Sequence, residues 1–161
     1  MTFISQTTLK LKEGDAFPDV ELQAYPEGKK SVSDYRGKWL VLYFYPRDDT
    51  PGCTTEACSF RDHIADIKKL GAEVVGVSTD DYKSHERFAK KYNLNFTLLS
   101  DVDGELGKLV GALREGAARL TENRVTFLID PKGYVAKVYP KVTPSDHSEE
   151  IIRDLKSLLA K

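Results

Sequence analysis

The stretch from Trp39 to Phe60 reads WLVLYFYPRDDTPGCTTEACSF. Its first seven residues form an unbroken β-prone run, which is typical of a strand buried on both faces of a sheet. The run ends at Pro46 and is followed by a short polar loop. From Cys53 onward the apolar residues recur at steps of three and four, which indicates a helix. A buried strand that passes through a loop into a helix indicates an α/β protein.

The rest of the chain extends this unit. We expect strands at Phe17–Leu22, after the turn Pro26–Gly28, at Trp39–Tyr45, Val74–Val77, Phe96–Leu99, Val125–Ile129 and Tyr134–Val138, and helices at Cys53–Leu70, Tyr82–Tyr92, Gly104–Val110 and Glu149–Leu159. This order predicts an α/β sandwich in which a mixed sheet lies between layers of helices. The 161 residues fit one domain, 1–161, with a polar lead-in over residues 1–13.

Composition narrows the classes of function. The chain carries 24 basic and 25 acidic residues, with no basic arm and no acidic tail. We therefore expect no nucleic-acid partner and no membrane partner. No apolar run reaches the length of about 18 residues that spans a bilayer, and the first residues are too polar for a signal peptide. The expected location is the cytoplasm, where two cysteines rarely form a structural disulfide.

Cys53 occupies a position that favours a reactive thiol. Thr50 is a suitable N-cap and Pro51 suits the first helical position, so Cys53 is expected in the first turn of the helix. There the unpaired N–H groups and the positive end of the helix dipole favour a thiolate.

The dipole alone is too weak to ionise a thiol at neutral pH. Lowering a thiol pKa from about 8.5 to about 6 takes roughly 3.4 kcal/mol. A helix terminus supplies about 0.3–1 kcal/mol, or about 2 when partly buried. A cation about 4 Å away adds about 4 kcal/mol at an effective dielectric near 20. An arginine suits this role better than a lysine. The candidates are Arg36, Arg47, Arg61, Arg114, Arg119 and Arg124, and Arg124 is attractive because it leads into a buried strand.

The second cysteine, Cys58, follows Cys53 by five residues. In a regular helix their Cα atoms are about 8.6 Å apart, given a rise of about 7.5 Å and a turn of about 140°. A disulfide needs roughly 4.4–6.8 Å. If the two cysteines pair, the first turns of the helix must therefore unwind.

The same residues resemble the peroxiredoxins, specifically the Q type, also called bacterioferritin comigratory protein. Pro46, Thr50 and Cys53 match the pattern Pro-x-x-x-Thr-x-x-Cys, with Cys58 in the Q-type position. The later RVTFLID resembles the strand that carries the family's essential arginine, which selects Arg124. The resemblance runs from about Gly14 to the end of the chain and implies a thioredoxin-like fold.

The resemblance also implies a reaction. Cys53 is expected to reduce hydrogen peroxide and alkyl hydroperoxides and to become a sulfenic acid, which Cys58 resolves as an intramolecular disulfide. Thr50 is expected to hydrogen-bond the peroxide, Arg124 to stabilise negative charge, and Pro46 to shield the thiol. Thioredoxin or a glutaredoxin-like dithiol is expected to recycle a monomeric enzyme that has no cofactor and no metal.

Several alternatives compete with this interpretation. A zinc site at Cys53, Cys58 and His63 lacks a fourth ligand and scatters its ligands around a helix. A disulfide reductase of the thioredoxin kind calls for Cys-x-x-Cys, which the chain lacks. A non-enzymatic binder or redox-responsive chaperone on the same fold is the third alternative. The other histidines, His85 and His147, are expected to be solvated helix residues.

Overall fold

A mixed β-sheet forms the centre of the fold. The computed structural model describes residues 9–26, 28–114 and 120–161. Outside these ranges lie residues 1–8 of the expected lead-in, Glu27 of the expected turn, and residues 115–119, which include the candidate Arg119. The described strands are β1 (Glu21–Tyr25), β2 (Lys29–Ser31), β3 (Trp39–Phe44), β4 (Ala72–Ser78), β5 (Thr97–Ser100), β6 (Val125–Ile129) and β7 (Val135–Tyr139).

These strands lie in the order β2-β1-β5-β4-β3-β6-β7. β3, β4 and β5 are parallel neighbours, and the remaining pairs are antiparallel. The described helices are α1 (Pro51–Lys69), α2 (Tyr82–Tyr92), α3 (Glu105–Val110) and α4 (His147–Leu159), with a 3-10 helix at Val32–Tyr35. The predicted order of elements and the mixed sheet are confirmed.

Strand β3 is buried on both faces, as its unbroken apolar run predicts. Val41 and Tyr43 point into a core shared with α1, α2 and α4. Leu40 and Leu42 point into a second core, which α3 and the 3-10 helix help to cover. This alternation is the period-2 geometry of a strand, and it leaves the sheet between two helical layers. The three-layer arrangement of the thioredoxin-like fold is confirmed.

The register of the sheet brings two distant segments to one edge. Phe44, the last residue of β3, lies opposite Val125, the first residue of the antiparallel β6. The loop that follows β3 and the residue that precedes β6 therefore meet at this edge. The first is the loop that leads to Cys53, and the second is Arg124.

Two sequence predictions differ from the structure. The first strand begins at Glu21 rather than Phe17, because Phe17 is buried against Phe127 outside any strand. His85 and His147 are fully buried rather than solvated. His147 places Nε2 2.8 Å from the Thr126 hydroxyl and Nδ1 2.9 Å from Glu150. Among the described residues, no helix has both the length and the apolar character needed to cross a bilayer.

Candidate functional site

Cys53 lies in the first turn of α1. Thr50 is the N-cap residue, Pro51 opens the helix, and the Thr54 amide donates to the Thr50 carbonyl at 2.8 Å. These positions confirm the predicted start of the helix. The Cys53 thiol is buried, with 1% of the residue exposed. Its sulfur therefore lies where the unpaired amides and the helix dipole act in a medium largely without water.

Arg124 is the arginine that reaches this sulfur. Its Nη2 donates to Cys53 Sγ at 3.3 Å. A Cβ on Gly52 would lie 3.0 Å from the same nitrogen, so the glycine allows the guanidinium to pass close to the helix. Burial acts against the charge of Arg124, but the charges of Glu56 and Cys53 outweigh it and raise the arginine pKa. The structure thus brings Arg124 and Cys53 together.

Glu56 completes the contact, and the sequence analysis did not identify it. Its Oε1 accepts a 2.7 Å hydrogen bond from Arg124 Nη1, while its Oε2 has no partner within the described part of the chain. The side chain is 1% exposed. Burial raises the pKa of Glu56 to about 7, although Arg124 opposes the shift. The spacing in the sequence could have identified Glu56, because it follows Cys53 by three residues and so lies on the same helix face.

Thr50 occupies the expected place but makes a different hydrogen bond. Its hydroxyl donates to the Arg47 carbonyl at 2.9 Å and does not cap the helix through its side chain. A hydroxyl has one proton, so it must rotate away from Arg47 before it can donate to a ligand. Pro46 lies at the start of the same loop, and its carbonyl accepts a 2.7 Å hydrogen bond from the Thr121 hydroxyl.

A buried polar cluster fixes the middle of this loop. Asp48 accepts hydrogen bonds from the hydroxyls of Tyr45 at 2.5 Å and Ser84 at 2.8 Å. His85 Nδ1 lies 2.7 Å from Asp48, and its Nε2 lies 2.9 Å from the Leu99 carbonyl. The sequence analysis missed this cluster, since its members come from the segment after β3, from α2 and from β5. It holds the loop in one conformation ahead of Cys53.

Cys58 lies further along α1 and is partly exposed. Both cysteines are free thiols, and the helix between them is continuous, so the distance argument for a regular helix applies. The next residue, Ser59, contacts the Ser148 hydroxyl of α4, and Ser148 lies 2.9 Å from His63 Nδ1. The helix is therefore tied to α4 immediately after Cys58.

The remaining candidates lie elsewhere in the described structure. Arg61 donates to the Tyr92 carbonyl at 2.6 Å, and Arg47 is exposed beside the loop. His63 is bound to serines rather than to the cysteines. Within residues 9–26, 28–114 and 120–161, no three or more His, Cys, Asp or Glu side chains are arranged to hold a metal.

The site combines a buried thiol, a helix N-terminus and an arginine whose two terminal nitrogens bind Glu56 and Cys53. Together these features favour a thiolate nucleophile. Comparison with known proteins agrees with this chemistry. The model of the AhpC/TSA family matches residues 13–138. The chain belongs to the AhpC/TSA family.

Relatives of this AhpC/TSA chain are named as peroxiredoxins. It is 47% identical over 126 residues to the putative peroxiredoxin bcp of Coxiella burnetii, covering 76% of this chain and 83% of the relative. It is 41% identical to the peroxiredoxin Bcp of Bacillus subtilis, covering 95% of this chain and 100% of the relative. A mutant of Xylella fastidiosa PrxQ has a TM-score of 0.87 at 34% identity, covering 92% of this chain and 98% of that one.

These likenesses confirm the predicted family and the thioredoxin-like fold. The protein is a peroxiredoxin, and its activity is that of a thiol-dependent peroxidase, an oxidoreductase. Enzymes of this class act on peroxides and use a thiol reductant.

Proposed function

We propose that Cys53 is the peroxidatic cysteine of this enzyme and that Arg124, Thr50 and Pro46 form its site. The observation that carries the proposal is the 3.3 Å contact between Arg124 Nη2 and Cys53 Sγ at the start of α1. A cation at this distance stabilises a thiolate and, later, the negative charge on the leaving oxygen. Cys58 lacks this setting, because it lies beyond the first turn of α1 and the arginine that acts on it, Arg61, is bound to Asp62 and to the Tyr92 carbonyl.

In the first step the Cys53 thiolate attacks one oxygen of the hydroperoxide. The sulfur–oxygen bond forms as the oxygen–oxygen bond breaks, and the other oxygen leaves as water or an alcohol after it takes up a proton. Cys53 is oxidised to a sulfenic acid and the peroxide is reduced. Thr50 turns its hydroxyl toward the peroxide, and Pro46 limits the access of water to the sulfur.

In the second step the Cys58 thiolate attacks the Cys53 sulfenic acid. A disulfide forms within the chain and water leaves. The regular helix holds the two Cα atoms about 8.6 Å apart, so the segment between them unwinds before the bond closes. An external dithiol then reduces the disulfide, for which thioredoxin or a glutaredoxin-like protein is the proposed partner.

Both hydrogen peroxide and alkyl hydroperoxides are proposed substrates. The Xanthomonas campestris bacterioferritin comigratory protein, described for its alkyl peroxide reduction activity, has a TM-score of 0.83 at 34% identity to this chain. We further propose that residues 1–161 act as one peroxiredoxin domain, as a monomer and in the cytoplasm.

Two cysteine variants test the assignment. Stopped-flow mixing of reduced protein with hydrogen peroxide, followed by thiol counting, should show that Cys53→Ser consumes no peroxide. Cys58→Ser should complete one turnover and leave a sulfenic acid that a dimedone-type reagent traps. The wild type should lose both thiols and run as a monomer on a non-reducing gel.

Each alternative has its own signature in these experiments. Peroxide turnover by Cys53→Ser would overturn the assignment of the nucleophile. A covalent dimer as the main oxidised product would overturn the intramolecular route. A protein that keeps both thiols in peroxide would favour the binder or chaperone alternative.

A further inference from the structure

A pair of buried carboxyl groups includes Glu122, which precedes Arg124 by two residues. Glu122 is fully buried, and neither of its carboxyl oxygens has a hydrogen-bond partner among the residues that the structure describes. Asp101 is 1% exposed and accepts hydrogen bonds at 2.9 Å from the amides of Leu106 and Gly107. A Cβ on Gly107 would overlap Glu122 Oε1 and would lie 3.4 Å from Asp101 Oδ2. The two carboxyl groups thus meet beside a glycine that leaves room for them.

No cation balances this pair in the described part of the chain. The one charged group that acts on the Glu122 carboxyl is Asp101. On α3, Glu105 and Lys108 are exposed, and so is Arg114 on the segment that bridges to Glu122. Arg124 uses its guanidinium on Cys53 and Glu56.

Two carboxylates without a cation cannot both stay charged in a buried site. Asp101 accepts hydrogen bonds from two backbone amides, so the geometry favours Glu122 as the carboxyl that carries the shared proton. Burial, and then the charge of Asp101, raise the pKa of Glu122 well above its ordinary range. A neutral Glu122 can donate its proton to Asp101, which gives the buried acid the partner that it otherwise lacks.

Glu122 also belongs to the segment that supports the active site. Its neighbour Thr121 donates its hydroxyl to the Pro46 carbonyl, and Arg124 follows two residues later. The backbone of the segment is held by the Asn123 amide on the Ala112 carbonyl at 2.8 Å. The Glu122 carboxyl is the part of this segment that is driven toward water when it ionises.

We propose that Glu122 is a positioning residue: a proton shared with Asp101 seats the segment from Leu120 to Arg124, and its loss at alkaline pH withdraws Thr121 from Pro46 and Arg124 from Cys53. The peroxidase would then carry an alkaline limit that does not arise from its cysteines. The positioning part rests on the proposed roles of Cys53 and Arg124, whereas the shared proton does not.

Glu122→Gln tests the shared proton, because an amide resembles a neutral carboxylic acid in shape. Glu105→Gln removes one exposed carboxylate from the neighbouring α3 and is the matched control. Urea unfolding is measured from about pH 5 to about pH 9. A folded-state pKa above the unfolded value means that stability is full below the unfolded pKa and is lost as pH rises toward the raised value. The ratio of the folding constant of Glu122→Gln to that of the wild type should therefore rise about tenfold per pH unit between the unfolded pKa of Glu122 and its raised folded-state pKa.

The second arm measures the rate of the reduced protein with hydrogen peroxide against pH. Wild type and Glu105→Gln should show a reversible fall on the alkaline side, whereas Glu122→Gln should match them at neutral pH and lack the fall. Parallel unfolding curves, or failure of Glu122→Gln to fold at neutral pH, would overturn the shared proton. If Glu122→Gln shows the expected change in unfolding but its profile of rate against pH coincides with that of the wild type, the positioning role is overturned. If Cys53 is not the nucleophile, the unfolding arm still reports on the proton.

Discussion

Replacing Arg124 by glutamine removes the main charge that acts on the Cys53 sulfur. At 3.3 Å and an effective dielectric of about 20, the guanidinium attracts a thiolate by about 5 kcal/mol. An ionised Glu56, held 2.7 Å from the other nitrogen, offsets on the order of half of this attraction. Without Arg124 the buried Glu56 becomes neutral, because the arginine is the group that lowers its pKa, so both charges are lost together. The net change of about 2.5 kcal/mol corresponds to about two pH units in the midpoint of thiolate formation.

The ultraviolet absorbance of the thiolate, followed against pH, measures this midpoint directly. It should move upward by about two pH units in Arg124→Gln. The rate with hydrogen peroxide at neutral pH should fall by about 10²–10³-fold, because a donor to the developing oxygen charge is also lost. The midpoint and the rate of Arg124→Lys should lie between those of the wild type and of Arg124→Gln, since lysine keeps the charge but not the two terminal nitrogens of the guanidinium.

Arg47→Gln is the matched control, because Arg47 is exposed in the loop that carries Pro46 and Thr50. It should leave both the titration and the rate unchanged. An unchanged midpoint in Arg124→Gln would refute the electrostatic reasoning. A larger shift in Arg47→Gln would show that the wrong arginine was chosen.

Three further variants test the surroundings of the site. Because the pKa of Glu56 is raised to about 7, the stability that its neutral form contributes is lost as pH rises from about 4.5. Urea unfolding should therefore show Glu56→Gln gaining about 3 kcal/mol on the wild type over that range, and a constant difference would contradict it. His85→Ala should lower the free energy of unfolding in urea by about 3 kcal/mol, because it leaves Asp48 buried without the imidazole. The exposed Lys83→Ala is the control, and a loss no larger than in this control would count against the pairing. Unwinding in the oxidised protein should remove amide protection from about Thr54 to Ser59. In Ser148→Ala this loss should spread past Ser59 toward His63, and the same boundary in both proteins by hydrogen exchange would contradict this.

The elements that the sequence predicted well are those whose local pattern and tertiary packing agree. The run from Trp39 to Phe44 is apolar throughout and becomes the central strand β3. Thr50 and Pro51 start α1 where their backbone preferences indicate. The first strand was predicted to begin at Phe17 because an aromatic residue favours a strand, whereas its packing on Phe127 decides its role.

The misses at the site share one physical cause. His85 looks like a surface residue on a helical pattern, and its partner Asp48 lies 37 residues earlier in the chain. Glu56 depends on Arg124, which lies 68 residues later. A polar side chain is buried when a distant partner satisfies it, and spacing along one element does not contain that information. The motif around Cys53 was found because its residues are close in sequence.

The two halves of α1 are held differently, and this decides how the helix can open. Beyond Cys58, Ser59 is tied to α4 and Phe60 is packed in the core, so this half should stay in place. Before it, Thr54 and Thr55 are weak helix formers, and the polar side-chain contacts to the rest of the fold are those of Arg124 with Glu56 and Cys53. Opening the first turns returns Glu56 to water, where its pKa falls back toward the ordinary value from about 7. Opening therefore releases a proton and becomes easier as pH rises from about 4.5 to about 7. The rate of disulfide formation can be timed by thiol loss after one equivalent of peroxide. This rate should increase between about pH 4.5 and about pH 7 more in the wild type than in Glu56→Gln. Equal acceleration in the two proteins would show that Glu56 stays buried while the disulfide forms.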